Sequence, residues 1–165
     1  MVAVRPVRES DLTELVRLIR AHARYERAAP LRPDLETALA ATLFLPEPRI
    51  RVLVADDDSV LLGYASWSLE ASTWRAAEYA HLDCLYLRGS ARGRGIGRAL
   101  MRAVEDAARR AGAAELQWQT PDWNDDAIRF YRRTDAHAAA KVRFALPLPA
   151  HRATTRFGVG ADQAV

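Results

Sequence analysis

The sequence predicts a single α+β domain whose central sheet is mixed but mostly antiparallel, with helices on both faces. Half of the 165 residues are hydrophobic, which suffices for one core but leaves too little for two. A strand and two helices come first, three consecutive strands follow, and the chain then alternates helix, strand, helix and strand. This order is typical of a sheet on which helices pack.

The first part of the chain is predicted to form one strand and two helices. The run VAVRPVR alternates like a short edge strand, where Pro6 is tolerated because an edge strand need not donate from every position. Ser10 is the expected N-cap of the first helix. The apolar stripe of that helix follows the helical repeat: Leu12, Leu15, Val16, Ile19 and Ala23. Pro33 marks the start of a second helix, which Pro46 and Pro48 end.

The middle of the chain is predicted to form three consecutive strands. RIRVLVADDDSVLLGYASWSLE has two β-branched and aromatic runs around an acidic turn, the pattern of an antiparallel hairpin, and Gly63 is a candidate bulge. EYAHLDCLYL is the next strand. Simple alternation divides its side chains into two faces, His81, Asp83, Leu85 and Leu87 against Leu82, Cys84 and Tyr86. An ionisable pair such as His81 and Asp83 is unusual on a central strand.

The last part of the chain is predicted to add a strand, a helix and a strand. AELQWQT reads as a strand, NDDAIRFYRR as a short helix with Asn124 as its N-cap, and KVRFAL as the final strand. We expect the domain to span residues 1–146. The tail, residues 147–165, is expected to be disordered or flexible.

Composition excludes several classes of function. The net charge of +3 is carried almost wholly by arginine, since Lys141 is the only lysine, and it lacks the dense basic run of a nucleic-acid tail. A single cysteine, Cys84, excludes an internal disulfide. The start of the chain has no apolar stretch long enough for a signal peptide or a membrane span. We therefore expect a cytoplasmic protein with no nucleic-acid partner, no membrane partner and no metal.

A glycine-rich turn precedes the predicted third helix, in the segment SARGRGIGRALMRAVEDAARRAG. Backbone N–H groups at a helix start are unpaired and favour an anion, and glycine lets the backbone wrap closely around it. Phosphate is the natural candidate. Arg98 and Ala99 stand where a P-loop needs Lys and Ser or Thr, and the spacing G-x-G-x-G is too short for a dinucleotide fingerprint.

The turn Arg92-Gly93-Arg94-Gly95-Ile96-Gly97 resembles the acetyl-CoA-binding signature R/Q-x-x-G-x-G/A of the GNAT superfamily of N-acetyltransferases. WNDDAIRFYRRTDA is similar to the second signature of the same superfamily, and AVRPVRESDLTELVRLIRAHARYE to its first strand and helices, so the resemblance extends to about Leu146. Within the superfamily, Arg24-Tyr25-Glu26 and the segment from Trp123 to Ala136 resemble the spermidine/spermine and thialysine acetyltransferase branch.

This resemblance implies the GNAT fold, acetyl-CoA as co-substrate and direct transfer of the acetyl group to an amine. The loop amides would bind the CoA pyrophosphate with nearby arginines, Asn124 would touch the pantetheine arm, and a bulge in the strand around Leu85 to Leu87 would supply backbone donors to the oxyanion. The implied cofactor-binding residues are Leu85, Tyr86, Leu87, Arg92, Gly93, Arg94, Gly95, Ile96, Gly97, Arg98, Asn124 and Tyr131.

The resemblance also implies a catalytic set. An alkylamine with a pKa near ~10 is almost wholly protonated at neutral pH, so a base or a water chain must accept its proton. Asp83 stands where the branch has glutamate followed by aspartate, so its carboxylate reaches less far, and His81 is an alternative base. Tyr131 would assist the leaving thiolate. Cys84 is expected to be a small core residue, and ping-pong kinetics are not predicted.

The resemblance says less about the acceptor amine than about acetyl-CoA. Tyr25, Glu26, Trp74 and Asp83 fall where the superfamily shapes its amine pocket, and a carboxylate beside aromatic rings suits a diamine or a lysine-like amine. Protein N-termini and aminoglycosides stay open as acceptors. Two other classes of function also stay open: a non-catalytic acyl-CoA-binding module and, on charge alone, a nucleic-acid-binding domain. Association into homodimers is common in the superfamily and is expected here.

Overall fold

The computed structural model describes residues 1–58 and 60–148. In chain order its elements are β1 (Ala3–Pro6), a 3₁₀ turn (Glu9–Asp11), α1 (Leu12–Tyr25), α2 (Leu35–Leu43), β2 (Arg51–Asp57), β3 (Val60–Ser72), β4 (Ala77–Leu87), a 3₁₀ turn (Gly89–Ala91), α3 (Ile96–Arg110), β5 (Leu116–Trp118) and α4 (Asp125–Tyr131). Within this part of the chain, no helix is long and apolar enough to cross a membrane.

The described strands form one sheet in the order β1-β2-β3-β4-β5. The first four pair antiparallel and β5 pairs parallel to β4, which confirms the predicted mixed, mostly antiparallel sheet. Pro6 lies on the edge strand β1, as predicted. The predicted bulge lies one residue before Gly63, because Ala55 pairs with Gly63 and Asp56 pairs with Leu61, which leaves Leu62 as the extra residue. Gly63 is required at this point, because a Cβ would lie 2.3 Å from the Tyr86 carbonyl oxygen.

The two faces of the sheet bury separate apolar clusters, which confirms helices on both faces. On one face α3 packs against β3 and β4 through buried side chains that include Leu100, Val104, Trp67 and Leu82. On the other face α1 and α2 pack against β2 and β3, with Leu15, Leu18, Val54 and Tyr64 in the cluster. Because these two cores fix the positions of α1 and β4, they also fix the relative positions of the side chains that α1 and β4 present to each other.

The start of α1 differs from the prediction. Ser10 is not the N-cap, because it lies inside the 3₁₀ turn and α1 begins at Leu12. Asp11 organises this turn instead. Its carboxylate accepts a hydrogen bond from the Arg8 amide at 2.8 Å and binds Arg5 at 2.6 and 2.9 Å. The Arg5 guanidinium lowers the pKa of Asp11 through these hydrogen bonds, so the carboxylate ties α1 to the edge of the sheet.

The predicted final strand, KVRFAL, is wrong. Residues 141–146 have no regular secondary structure. Their alternating apolar side chains do not pack against the described sheet, since Val142, Phe144 and Leu146 are 79%, 90% and 83% exposed. Alternation predicts which side chains would share a face, but a strand forms only when its backbone pairs with a neighbour. The predicted flexible tail falls almost wholly on residues 149–165, outside the described residues.

Candidate active site

One cavity of about 1090 Å³ opens where β4 and β5 part. The two strands pair only from Ala80 to Leu82, whereas β4 runs on to Leu87, so among the described residues β4 has no strand neighbour on this side beyond Leu82. The cavity walls come from the end of α1, the open part of β4, the start of α3 and α4. Residues far apart in sequence therefore meet around one space.

The glycine loop, residues 92–98, forms one wall of this cavity. Gly93 and Gly95 have φ angles of 73° and 78°, a conformation that a side chain makes costly, and Gly95 is the N-cap of α3. Apart from the residues next to each glycine in the chain, no atom of the described residues lies within 4 Å of the point where a Cβ would stand on Gly93 or Gly95. The first amides of α3 have no intrahelical acceptors. The loop thus presents an open cradle of N–H groups.

The side chains of the glycine loop point in different directions. Ile96 is buried in the core and anchors the loop, so that it can offer a ligand only its backbone. Arg98 lines the cavity, whereas Arg94 is not among the lining residues. The Arg92 guanidinium lies 4.7 Å from the centre of the Tyr25 ring, and its Nε donates to the Leu87 carbonyl at 3.3 Å. The structure therefore places the Arg92 charge beside α1.

Asn124 caps α4, as predicted, and joins it to α1. Its side-chain oxygen accepts hydrogen bonds from the Ala127 amide at 3.2 Å and from the Tyr25 hydroxyl at 3.3 Å. Asn124 is 6% exposed, so these bonds lie in the interior. Tyr131, at the end of α4, lines the same cavity with its ring 5.3 Å from that of Trp118. Burial, together with the nearby Glu26 and Cys84, raises the pKa of Tyr131 to about 12, so its hydroxyl keeps its proton at neutral pH.

A bulge at Asp83 corrects the predicted faces of β4. Cys84 pairs with Ser66 and Leu82 pairs with Trp67, which leaves Asp83 as the extra residue. Because the extra residue reverses the alternation, Leu82, Leu85 and Leu87 pack in the α3 cluster, and Cys84 and Tyr86 pack in the α1 cluster. The predicted bulge around Leu85 to Leu87 thus lies earlier in the strand, although those residues do line the cavity.

Asp83 reaches the cavity from this bulge. Its Oδ2 lies 3.5 Å from the Ser66 hydroxyl and 3.5 Å from the Cys84 thiol. Burial, followed by the charge of Asp83, raises the pKa of Cys84 to about 12. The thiol is therefore protonated at neutral pH and is a poor nucleophile.

Four of the predicted site residues do not line the cavity: Arg94 and Ile96 of the glycine loop, His81 and Trp74. His81 is bound to Glu70, with its Nδ1 2.8 Å from the Glu70 carboxylate, and it is not among the lining residues. Hydrogen bonds from Tyr79 and His81 lower the pKa of Glu70, so its carboxylate is ionised at neutral pH and holds the His81 ring away from the cavity. Trp74 lies in the turn between β3 and β4 and is 98% exposed. Tyr25 and Glu26, by contrast, do line the cavity.

His22 is a cavity residue that the sequence analysis missed. It is 8% exposed on α1 and lies 2.9 Å from the Tyr64 hydroxyl through Nδ1 and 3.3 Å from the Glu26 carboxylate through Nε2. Its ring stacks on Tyr86 with centroids 4.9 Å apart. The sequence did contain a sign of this position, because His22 lies seven residues after Leu15 and four after Leu18 on the buried stripe of α1.

Glu26 and Asp83 are two carboxylates that line the same cavity. We call this pair the acidic wall.

Comparisons with known proteins agree with this geometry. Residues 13–135 match the family model described as Acetyltransferase (GNAT) family. The chain is 30% identical over 143 residues to the thialysine N-epsilon-acetyltransferase of Bos taurus, covering 82% of this chain and 84% of that protein. It is 29% identical over 137 residues to the same enzyme of Mus musculus, covering 78% and 80%. The crystal structure of an aminoglycoside acetyltransferase from an uncultured soil metagenomic sample, in complex with sisomicin, has the same fold, with a TM-score of 0.75, 23% identity and coverage of 90% and 97%. The chain belongs to the GNAT family and is an acetyl-CoA-dependent N-acetyltransferase.

Proposed function

We propose that the protein transfers the acetyl group of acetyl-CoA directly to a primary amine of a small diamine or lysine-like molecule, with both substrates bound together. The observation that carries this proposal is that one cavity holds the glycine loop on one wall and two carboxylates, Glu26 and Asp83, on another. The first wall suits phosphate and the second suits a cation. The relatives named for thialysine support an acceptor with a terminal amine.

The glycine loop fits the phosphates of acetyl-CoA. Unpaired amides at the start of α3, the positive end of the helix dipole and Arg98 all favour an anion in the open cradle beside Gly93 and Gly95. Asn124 and Tyr131 lie on the α4 wall of the same cavity, where the pantetheine arm would reach. When bound, acetyl-CoA supplies an activated acetyl group with a thiol leaving group.

The acidic wall suits a cationic acceptor. Glu26 has 35% of its side chain exposed and Asp83 is exposed at the bulge, so either carboxylate can pair with an ammonium group. The rings of Tyr25 and Tyr86 lie beside them, 6.5 Å apart between centroids, and offer faces to a methylene chain or a cation. A substrate with two separated charged groups would use more of this wall than a simple monoamine.

The residues around the bulge support a direct transfer. Asp83 accepts a proton from the ammonium group and so makes the amine nucleophilic. Backbone amides between Leu85 and Leu87 stabilise the oxygen that gains negative charge, because this part of β4 is unpaired by β5. The Tyr131 hydroxyl donates to the leaving sulfur. The protonated thiol of Cys84 argues against an acetylated cysteine intermediate.

Calorimetry followed by a turnover assay tests the proposal. The protein is titrated with acetyl-CoA and with dephospho-CoA, and thiol release is then followed with thialysine, spermidine, an aminoglycoside and an N-terminal peptide. We expect acetyl-CoA binding, thiol release with thialysine or spermidine, and initial-rate lines that intersect. Binding without release on any amine would indicate an acyl-CoA-binding module instead, and parallel lines would contradict direct transfer.

The homodimer and the cytoplasmic location stay predictions from the sequence. Light scattering coupled to size exclusion measures the oligomeric state of the full chain. A mass of twice 18.4 kDa is expected, and a mass of one chain at micromolar concentration would contradict it.

A further inference from the structure

The guanidinium group of Arg92 lies on two aromatic rings beside the acidic wall. Its central carbon is 4.7 Å from the centre of the Tyr25 ring and 6.0 Å from the centre of the Tyr86 ring. The two ring centres are 6.5 Å apart. A cation within about 6 Å of an aromatic ring is attracted by the negative face of that ring. Arg92, Tyr25 and Tyr86 all line the cavity, so this cation–π contact lies in the candidate active site itself.

The same guanidinium group lies near the acidic wall. Burial lowers the pKa of His22, the carboxylates of Glu26 and Asp83 act against this, and the charge of Arg92 adds to it. These three charges therefore lie near one imidazole ring, which stacks on Tyr86. Among the described residues, Arg92 forms no ion pair with a carboxylate. The charge of Arg92 thus lies beside the rings and carboxylates to which the cation of an acceptor amine would bind.

The two rings are fixed by the fold, whereas Arg92 is held weakly. The Tyr25 hydroxyl donates to the buried Asn124 side chain at 3.3 Å, and Tyr86 packs in the α1 cluster. Arg92 is exposed, and its Nε donates one hydrogen bond of 3.3 Å to the Leu87 carbonyl. Hydrogen bonds from arginine to a phosphate are shorter and stronger than a bond of this kind. An anion that binds to the glycine loop can therefore move the Arg92 side chain while the rings stay in place.

We propose that Arg92 takes the place of the acceptor cation on Tyr25 and Tyr86 before acetyl-CoA binds, and that it leaves this place to pair with a phosphate of acetyl-CoA. The proposal rests on the function proposed above, in which these rings and the acidic wall bind a cationic amine. Arg92 directly precedes Gly93, so its side chain begins beside the open cradle of amides that suits the phosphates. Once Arg92 pairs with phosphate, the two rings are free for the acceptor.

The Arg92 contact has a consequence for the order in which the substrates bind. When a ligand binds only to molecules in which its place is free, its apparent affinity falls by the fraction of such molecules. Without acetyl-CoA, Arg92 competes with the ammonium group of the acceptor for Tyr25 and Tyr86. With Arg92 on a phosphate, this competition ends. The enzyme therefore binds acetyl-CoA first, and an amine does not occupy the cavity alone.

Calorimetry without acetyl-CoA tests whether the charge of Arg92 keeps the acceptor out. Thialysine is titrated into the full chain and into two variants. Arg92→Gln removes the charge but keeps a long side chain, and we expect it to bind thialysine at least about tenfold more tightly than the wild type does. Arg92→Lys keeps a cation that can lie on Tyr25, so it should bind thialysine as weakly as the wild type does.

Arg133→Gln is the matched control for this titration. Arg133 is an exposed arginine that lines the same cavity and has no cation–π contact with a described residue. The substitution removes one positive charge from the cavity and should leave the affinity for thialysine unchanged. Damage to the fold lowers affinity, so it cannot produce the gain expected in Arg92→Gln. No gain in Arg92→Gln, or an equal gain in Arg133→Gln, would overturn the proposal.

An NMR measurement that needs no acceptor separates this proposal from the proposed function. The ring currents of Tyr25 and Tyr86 shift the side-chain methylene signals of Arg92, which are assigned by their absence in Arg92→Gln. Desulfo-CoA carries the phosphates but no thiol, and at saturation we expect it to move these signals toward their ordinary positions. Signals that stay in place with desulfo-CoA bound would contradict the movement of Arg92 even if acetyl transfer is observed. Absence of transfer to every amine would instead contradict the proposed function.

Discussion

The glycine loop and the acidic wall line the same cavity, but the chain builds them in different ways. The glycine loop is seven consecutive residues, and its shape depends on positive φ angles at Gly93 and Gly95 and on the helix that follows. The acidic wall brings Glu26, at the end of α1, and Asp83 of β4 to one cavity, although the two residues lie far apart in the sequence. One wall is therefore a local structure and the other is a product of tertiary packing. Substitutions should affect them separately.

The largest expected effect is on the acidic wall. Asp83→Asn keeps the size of the side chain but cannot accept the ammonium proton, so we expect kcat to fall by about 100-fold or more. The affinity for acetyl-CoA should change by less than about twofold, because the glycine loop is untouched. Asp106→Asn is the control, since Asp106 is an exposed carboxylate on α3 paired with Arg109. Steady-state rates and calorimetry measure the two quantities, and a parallel loss of both would show that the walls are not separable.

The next effect is on the glycine loop. Gly95→Val introduces a branched side chain at φ 78°, where left-handed backbone costs about 1–2 kcal/mol per non-glycine residue, and it fills the cradle. We expect the Kd for acetyl-CoA to rise about tenfold or more. Gly112→Val is a matched control at the other end of α3, with φ 85° and equally open surroundings. It should cost similar stability and leave the Kd unchanged; an equal rise in Kd would mean that strain, not the cradle, was measured.

The sequence predicted the local wall better than the packed one, for a physical reason. The loop conformation and the Asn124 cap depend on neighbours along the chain, so glycine spacing and cap chemistry predict them. The faces of β4 depend on a bulge at Asp83, which is a relation between two strands that alternation within one strand does not contain. The prediction of a strand at KVRFAL was wrong for the same reason, because its residues alternate like a strand but its backbone pairs with no other strand of the described residues. His22 became visible only when Tyr64 and Glu26 were placed against it.

A smaller effect is expected at the leaving group, between the two walls. Tyr131→Phe removes the hydroxyl but keeps the ring packed against Trp118, so we expect kcat to fall about tenfold with an unchanged Kd for acetyl-CoA. Because burial raises the pKa of Tyr131 to about 12, the hydroxyl is a proton donor throughout the range from neutral to mildly alkaline pH. The ratio of wild-type to variant kcat should therefore be flat up to about pH 10. A ratio that falls as pH approaches 10 would contradict this role.

The smallest effect is expected at Asn124, which links α4 to α1. Its side-chain oxygen caps α4 through the Ala127 amide and holds the Tyr25 hydroxyl of α1, so it is both a local cap and a tertiary contact. Asn124→Ala loses both and should lower the free energy of unfolding by about 1 kcal/mol, and Asn124→Asp should retain most of it because aspartate caps as well. Tyr25→Phe removes the tertiary bond alone. If the cap on α4 matters most, Tyr25→Phe will change the affinity for acetyl-CoA far less than Asn124→Ala does. Similar changes in the two variants would mean that the contact with α1 positions α4, and that the α4 wall of the cavity also depends on tertiary packing.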